Sequence, residues 1–250
     1  MNLSTKILIA LGLGIIAGLQ LGAEGAAFAK AWIGPLGTIF MNLIKMVIVP
    51  LVFSSLVMGV CGLGDVKKLG RIGFKTVALY LFTTAFAIAL GIAFGVLVEP
   101  GAGLNMSTEG LKVTAKAAPP IMKVIIDIFP TNPLGAMVKA NMLQIILFAL
   151  FVGVGIVAVG EKAEALKNTI DGLAEVCYKM VGIIMSFAPI GVFGLITPVV
   201  AANGPAVLLP LLKVIICVYL GCLLHAIIVY GALVATLGKT SPLSFFKGVA

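Results

Sequence analysis

Charge is what this sequence has least of. Only 10% of its 250 residues are Asp, Glu, Lys or Arg, while 61% are hydrophobic. A soluble domain is charged at about a quarter of its positions, so this chain cannot cover a water-facing surface of its size. Mean hydropathy is +1.23. Histidine occurs once, as His225, and no Ser-His-Asp, His-Glu-x-x-His or phosphate-loop pattern is present. Without a nucleophile, an acid–base pair or a metal cluster, enzyme chemistry has no foothold. The four cysteines, Cys61, Cys177, Cys217 and Cys222, form no Cys-x-x-Cys pair and sit in or beside apolar runs. They read as buried thiols, not as a zinc or redox site. Net charge is +8, but the lysines fall in short gaps between apolar runs and not on one solvated face. That excludes nucleic acid as the partner.

Long apolar runs are what the chain has instead. A spanning helix needs about 20 mostly apolar residues, and six stretches qualify. They are Ile7–Gly22, Ile33–Val60, Thr76–Val98, Pro119–Gly160, Leu173–Val200 and Leu208–Leu237. The first, with Lys6 ahead of it, resembles a signal peptide. No small-x-small cleavage pattern follows it within a polar c-region, and further apolar spans come after it, so it reads as a retained helix. Gly12-Leu13-Gly14-Ile15-Ile16-Ala17 fits a dinucleotide fingerprint in letters only, because it lies inside this run with no strand before it. The connection after the second span carries Lys67, Lys68, Arg71 and Lys75 against Asp65. Such an excess of basic residues marks the cytoplasmic side. The uncharged connection Ala201–Val207 suits the opposite side, and Lys239 and Lys247 follow the sixth span. Six spans with both termini cytoplasmic satisfy all three observations. Ala102–Lys116, rich in Gly, Ser, Thr and Asn, reads as an external loop.

The fourth stretch is not one helix. Pro130-Thr131-Asn132-Pro133 must break it, since proline removes a donor and disfavours helix at the residue before it. Ile121–Phe129, bearing Asp127, precedes the break, and a helix over Leu134–Val159 follows. Broken backbone at membrane depth needs protein or water to satisfy it. Gly14, Gly18 and Gly22 recur every four residues on the first helix, as do Gly91 and Gly95 on the third. Such faces permit close helix packing.

The polar residues within spans carry whatever chemistry there is. Tyr80, Thr83 and Thr84 fall on one side of the third helix. Their hydroxyl oxygens suit a hard cation, or each threonine bonds back to a carbonyl of its own helix. Lys45, near the middle of the second span, is either a pathway or domain-interface residue or the structural partner of a carboxylate. His225 in the sixth span is either functional or a hydrogen-bond donor to a neighbouring helix. Asp127 sits near an interface, and Lys179 and Lys213 near span ends, where they snorkel.

Four stretches together resemble the dicarboxylate/amino acid:cation symporter family, which includes glutamate and aspartate transporters. They are Leu43-Ile44-Lys45-Met46-Val47-Ile48-Val49-Pro50-Leu51-Val52-Phe53, Tyr80-Leu81-Phe82-Thr83-Thr84-Ala85-Phe86, Asp127-Ile128-Phe129-Pro130-Thr131-Asn132-Pro133 and Ala188-Pro189-Ile190-Gly191-Val192-Phe193. The resemblance covers nearly the whole chain. It implies an all-α integral membrane protein of elevator type, in the plasma or inner membrane. Residues 1–70 would hold scaffold helices 1–2 and residues 71–100 a transport-domain helix 3. An external loop would follow at 101–118, then scaffold helices 4–5 at 119–200 and transport-domain helix 6 at 201–250. It implies a homotrimer in the lipid bilayer, with no prosthetic cofactor and with Na⁺ or H⁺ as coupling cation. Tyr80, Thr83 and Thr84 stand where sodium-coupled members place cation-binding hydroxyls, with Thr84 where some members have serine. Two re-entrant hairpins and two more helices, bearing the contacts to a small anionic solute, would follow Ala250. On that reading the chain is the N-terminal part of a symporter for an acidic amino acid or C4-dicarboxylate, and this part alone transports nothing. The alternatives are a non-transporting scaffold or assembly module, supported by the glycine faces, and an ion channel.

Overall fold

The computed structural model describes residues 1–63, 66–102 and 120–249. Among the described residues the regular structure is entirely helical. The α-helices are α1 (Leu3–Phe28), α2 (Gly34–Leu63), α3 (Val66–Val98), α4 (Ile121–Asp127), α5 (Pro133–Val138) and α6 (Met142–Val159). They continue with α7 (Glu164–Ser186), α8 (Ala188–Asn203), α9 (Leu208–Leu224), α10 (Gly231–Thr236) and α11 (Pro242–Val249). By length and composition four helical stretches among the described residues can cross a membrane: Leu3–Gly62, Ala78–Val98, Met142–Ser186 and Pro205–Thr236. The count is below six because consecutive helices run into one another. A π-helical turn at Ala29–Ile33 joins α1 to α2, and a 3₁₀ turn at Gly160–Ala163 joins α6 to α7. Likewise α3 starts at Val66, so the basic residues expected in a loop stand on its first turns. Asp65 and the greater part of the expected external loop at 101–118 lie outside the described residues.

The chain divides into two compact units. The first comprises Met1–Arg71 and Thr108–Gly204, the second Ile72–Ser107 and Pro205–Ala250. In the first, α1 lies along α8, and α2 packs on α6, α7 and α8. Glycine sets these approaches. A Cβ at Gly14 would run into the Ile196 side chain, and one at Gly18 would stand 2.7 Å from Val200 Cβ. Gly22 does not continue that face: its φ of 57° and ψ of −167° break α1. Only glycine enters this region freely, so the third glycine of the repeat bends the chain where a packing role was expected. One apolar cluster joins Phe40 and Val47 of α2 to Cys177 and Ile184 of α7 and Ala188 of α8. Another joins Val57 of α2 to Ala149 and Ile156 of α6 and Ile170 of α7.

The proline-rich break is built from its own residues. α4 ends at Asp127, and the Asn132 side chain accepts a hydrogen bond from Gly135 N at 3.1 Å, with Pro133 opening α5. An asparagine N-cap followed by proline is a strong helix start. Gln144 Nε2 donates to Asp127 O at 2.8 Å and ties the end of α4 to α6. We expect Asn132→Ala to cost about 1 kcal/mol, or about 2–4 °C of thermal midpoint, and Asn132→Asp to restore most of it. The single helix expected over Leu134–Val159 is in fact two. Ala140 N donates to Met137 O at 3.1 Å and Asn141 N to Ala136 O at 2.9 Å, with Ala140 at φ 50°. This is a Schellman stop formed without glycine. The fifth stretch also divides, at Phe187, because Pro189 has no N–H to continue the ladder.

Candidate functional site

In the second unit α3 carries the hydroxyl group of residues. Thr83 is 8% exposed, and Tyr80 is 69% exposed. Thr83 Oγ1 donates to Tyr80 O at 3.0 Å. This is the back-bond that threonine commonly makes within a helix. It uses the proton and leaves the oxygen lone pairs available, so the bond does not oppose cation ligation. Thr84 is half-buried one residue on. The three residues occupy adjacent positions on α3 without forming an enclosed cage. Among the described residues no group of three or more His, Cys, Asp or Glu is placed to hold a metal ion. A cation here would rest on hydroxyl and carbonyl oxygens, the ligands that suit Na⁺-like hard ions.

His225 opens a π-helical turn, His225–Tyr230, between α9 and α10. Such a bulge displaces backbone hydrogen bonds by one residue and is frequent at functional sites. The imidazole lies edge-on to Tyr230 with ring centroids 5.0 Å apart, and 6.4 Å from Phe86 of α3. Its Nδ1 is buried and has no hydrogen-bond partner among the described residues. The ring borders a cavity of about 530 Å³ lined by Gly91, Phe94 and Gly95 of α3 and by Cys217 and Gly221 of α9. A Cβ at Gly91 or Gly95 would meet nothing within 4 Å. Among the described residues no helix closes on this pair, which borders the cavity.

In the first unit Lys45 is on the exposed side of α2, away from Val47, which is 1% exposed. Asp127 is exposed, and its backbone carbonyl, not its carboxylate, makes the bond to Gln144. Lys179 was expected near the start of the fifth span, but α7 already begins fifteen residues before it, at Glu164. Three buried polar features stand out, and of these only His225 was singled out from the sequence. Ser54 Oγ donates to Pro50 O at 2.7 Å, next to the proline inside α2. Thr197 Oγ1 donates to Phe193 O at 2.8 Å beside Pro198. The third is the unpartnered Nδ1 of His225. A hydroxyl next to an intrahelical proline was the one available signal for the first two, since such helices lose a ladder bond nearby.

Comparison with known proteins bears on the chain as a whole. It is 35% identical over 245 residues to a proton/sodium-glutamate symport protein of Geobacillus stearothermophilus, covering 95% of this chain and 58% of that protein. It is 36% identical over 249 residues to a proton/glutamate-aspartate symporter of Escherichia coli K12, covering 92% and 56% respectively. A proton/sodium-glutamate symport protein of Bacillus subtilis is 31% identical over 259 residues. The chain thus spans under three-fifths of the length of these relatives. The profile of one family, of transporters and not of enzymes, matches residues 3–250, and the chain belongs to the sodium:dicarboxylate symporter family.

Proposed function

We infer that the intact protein is a multi-pass symporter of the cell membrane that moves an acidic amino acid or C4-dicarboxylate together with Na⁺ or H⁺. The observation that carries this is the family match across residues 3–250. Relatives named for glutamate and aspartate narrow the substrate class to acidic amino acids first.

The two compact units support a division of labour. Helices α1, α2 and α4–α8, corresponding to residues 1–70 and 119–200, form the scaffold and the contacts of a homotrimer. Helix α3, within 71–100, and helices α9–α11, within 201–250, travel as part of an elevator domain. Residues 101–118 link them on the external side. Six membrane passages place both termini in the cytoplasm, with the basic first turns of α3 on that side. Tyr80, Thr83 and Thr84 hold the coupling Na⁺. Lys45 and His225 serve at domain faces, where ionisable groups inside a membrane usually act.

Uptake by the intact protein in proteoliposomes tests this. Labelled glutamate, aspartate and succinate are offered under an inward Na⁺ gradient, an inward H⁺ gradient, or neither. Accumulation of at least one of them against its gradient, under one cation gradient only, is the expected result. Equal flux with and without the gradients indicates a channel, and no flux of any of them removes the transport reading.

A further inference from the structure

Helix α7 has three faces, and one of them does not suit lipid. Ile170, Ala174, Cys177 and Ile184 are buried against the rest of the first unit. Leu173, Val176, Ile183 and Phe187 are exposed and apolar. Between these faces Lys167, Asp171, Glu175 and Lys179 recur every four residues, and all four are exposed. Residues four apart fall on one side of a helix, so the charges form a continuous stripe. Gly182 and Ser186 extend it toward the end of the helix.

The stripe runs deep. Ile170 packs with Ile156, three residues from the end of α6 at Val159. At 1.5 Å per residue, Glu175 then lies about 12 Å inward from that end and Lys179 about 18 Å, against a hydrocarbon thickness of about 30 Å. A second ruler agrees. Cys177 packs in one cluster with Val47, close to the midpoint of α2. Lys179 is therefore level with the middle of the membrane-length helices around it. Aspartate and glutamate are too short to reach the interface from such depth, and a carboxylate facing hydrocarbon is costly.

The mouth of the stripe is already open and polar. A cavity of about 440 Å³ lies where α2, α6 and α7 meet, lined by Cys61, Gly160, Glu161, Glu164 and Lys167. It is large enough for several waters, and its lining offers charged partners for them. Lys167 belongs to both the cavity and the stripe.

We propose that the polar face of α7 is the wall of a water-filled cleft, entering from the side of the α6–α7 turn and reaching the membrane mid-depth. Water in this cleft solvates Asp171, Glu175 and Lys179, while the apolar face beside it meets lipid or protein. The proposal rests on the chain spanning a membrane, not on the substrate or coupling ion.

Two measurements on the intact protein in sealed vesicles test it, with the α6–α7 side accessible. In the unsubstituted protein, a water-soluble carbodiimide with taurine modifies exposed carboxylates, read by peptide mass. Asp171 and Glu175 should react at rates within about tenfold of Glu161 and Glu164, because all four face the same water. Single cysteines then replace Glu175, Lys179 and Val176 in a background whose native cysteines are alanine. A thiol against hydrocarbon stays protonated and out of reach of a sulfonated maleimide, so E175C and K179C should label about a hundredfold faster than V176C. Carboxylates that react only after detergent extraction, or E175C as slow as V176C, overturn the cleft.

Discussion

Replacing Gly194 by valine is expected to lower the thermal midpoint of the intact protein by about 6–12 °C, from about 3 kcal/mol of overpacking. A Cβ at Gly194 would stand 2.5 Å from Gly37 N and 3.0 Å from Ile33 O. Both are backbone atoms of the helical run that enters α2, and backbone cannot rotate aside as a side chain can. The opposing glycine is equally constrained: a Cβ at Gly37 would lie 2.6 Å from Leu195 Cγ and 2.9 Å from Leu195 N. Nearby, Gly191 makes room for the Phe40 ring. α2 and α8 thus touch backbone to backbone, the arrangement that small residues make possible between membrane helices. The control is Gly155→Ala on α6, where a Cβ meets nothing within 4 Å. Alanine there should be neutral or stabilise by up to about 1 kcal/mol through helix propensity. Thermal unfolding followed by size-exclusion chromatography in detergent separates the two. Equal midpoints for Gly194→Val and Gly155→Ala would mean that α2 and α8 do not approach at these glycines.

What the sequence made legible divides by mechanism. Low charge and apolar runs about 20 residues long pointed to membrane helices, and four helical stretches of that kind are present among the described residues. The Pro130–Pro133 break was readable because proline acts locally, and the Asn132 cap adds a local bond. The second stop, at Ala140, was not readable, since a left-handed residue there is normally glycine and alanine gives no warning. The glycine repeat of α1 showed a packing face, and α8 fills it at Gly14 and Gly18. Nothing in the spacing separated Gly22, which sits at a kink in α1 with a positive φ and where a Cβ would meet nothing within 4 Å. The charges of α7 were visible as letters. Their significance was lost because the fifth span was drawn from Leu173 and so cut the stripe in two. Depth becomes measurable only when α7 is seen packed on α2 and α6.

Of the residues singled out for chemistry, Thr83 offers the sharpest test of coupling. Thr83 is 8% exposed, and its hydroxyl donates to Tyr80 O. Valine has nearly the same shape and the same β-branched stiffness in a helix. Thr83→Val therefore removes one oxygen while leaving α3 in place, and the intact protein should unfold within about 1 kcal/mol of the original. Loss of an oxygen that binds a cation is worth about 1.5–3 kcal/mol, so the Na⁺ concentration giving half-maximal uptake should rise about 10- to 100-fold. Thr83→Ser, which keeps the oxygen, should recover most of the affinity. Uptake driven by H⁺ alone should not respond to either substitution, because a proton needs a titratable site and not a row of hydroxyls. If Thr83→Val leaves the Na⁺ dependence unchanged in a protein of unchanged stability, the hydroxyl serves only its own helix. Tyr80 and Thr84 then lose their assignment with it, since two neighbouring hydroxyls on one side of a helix do not enclose an ion.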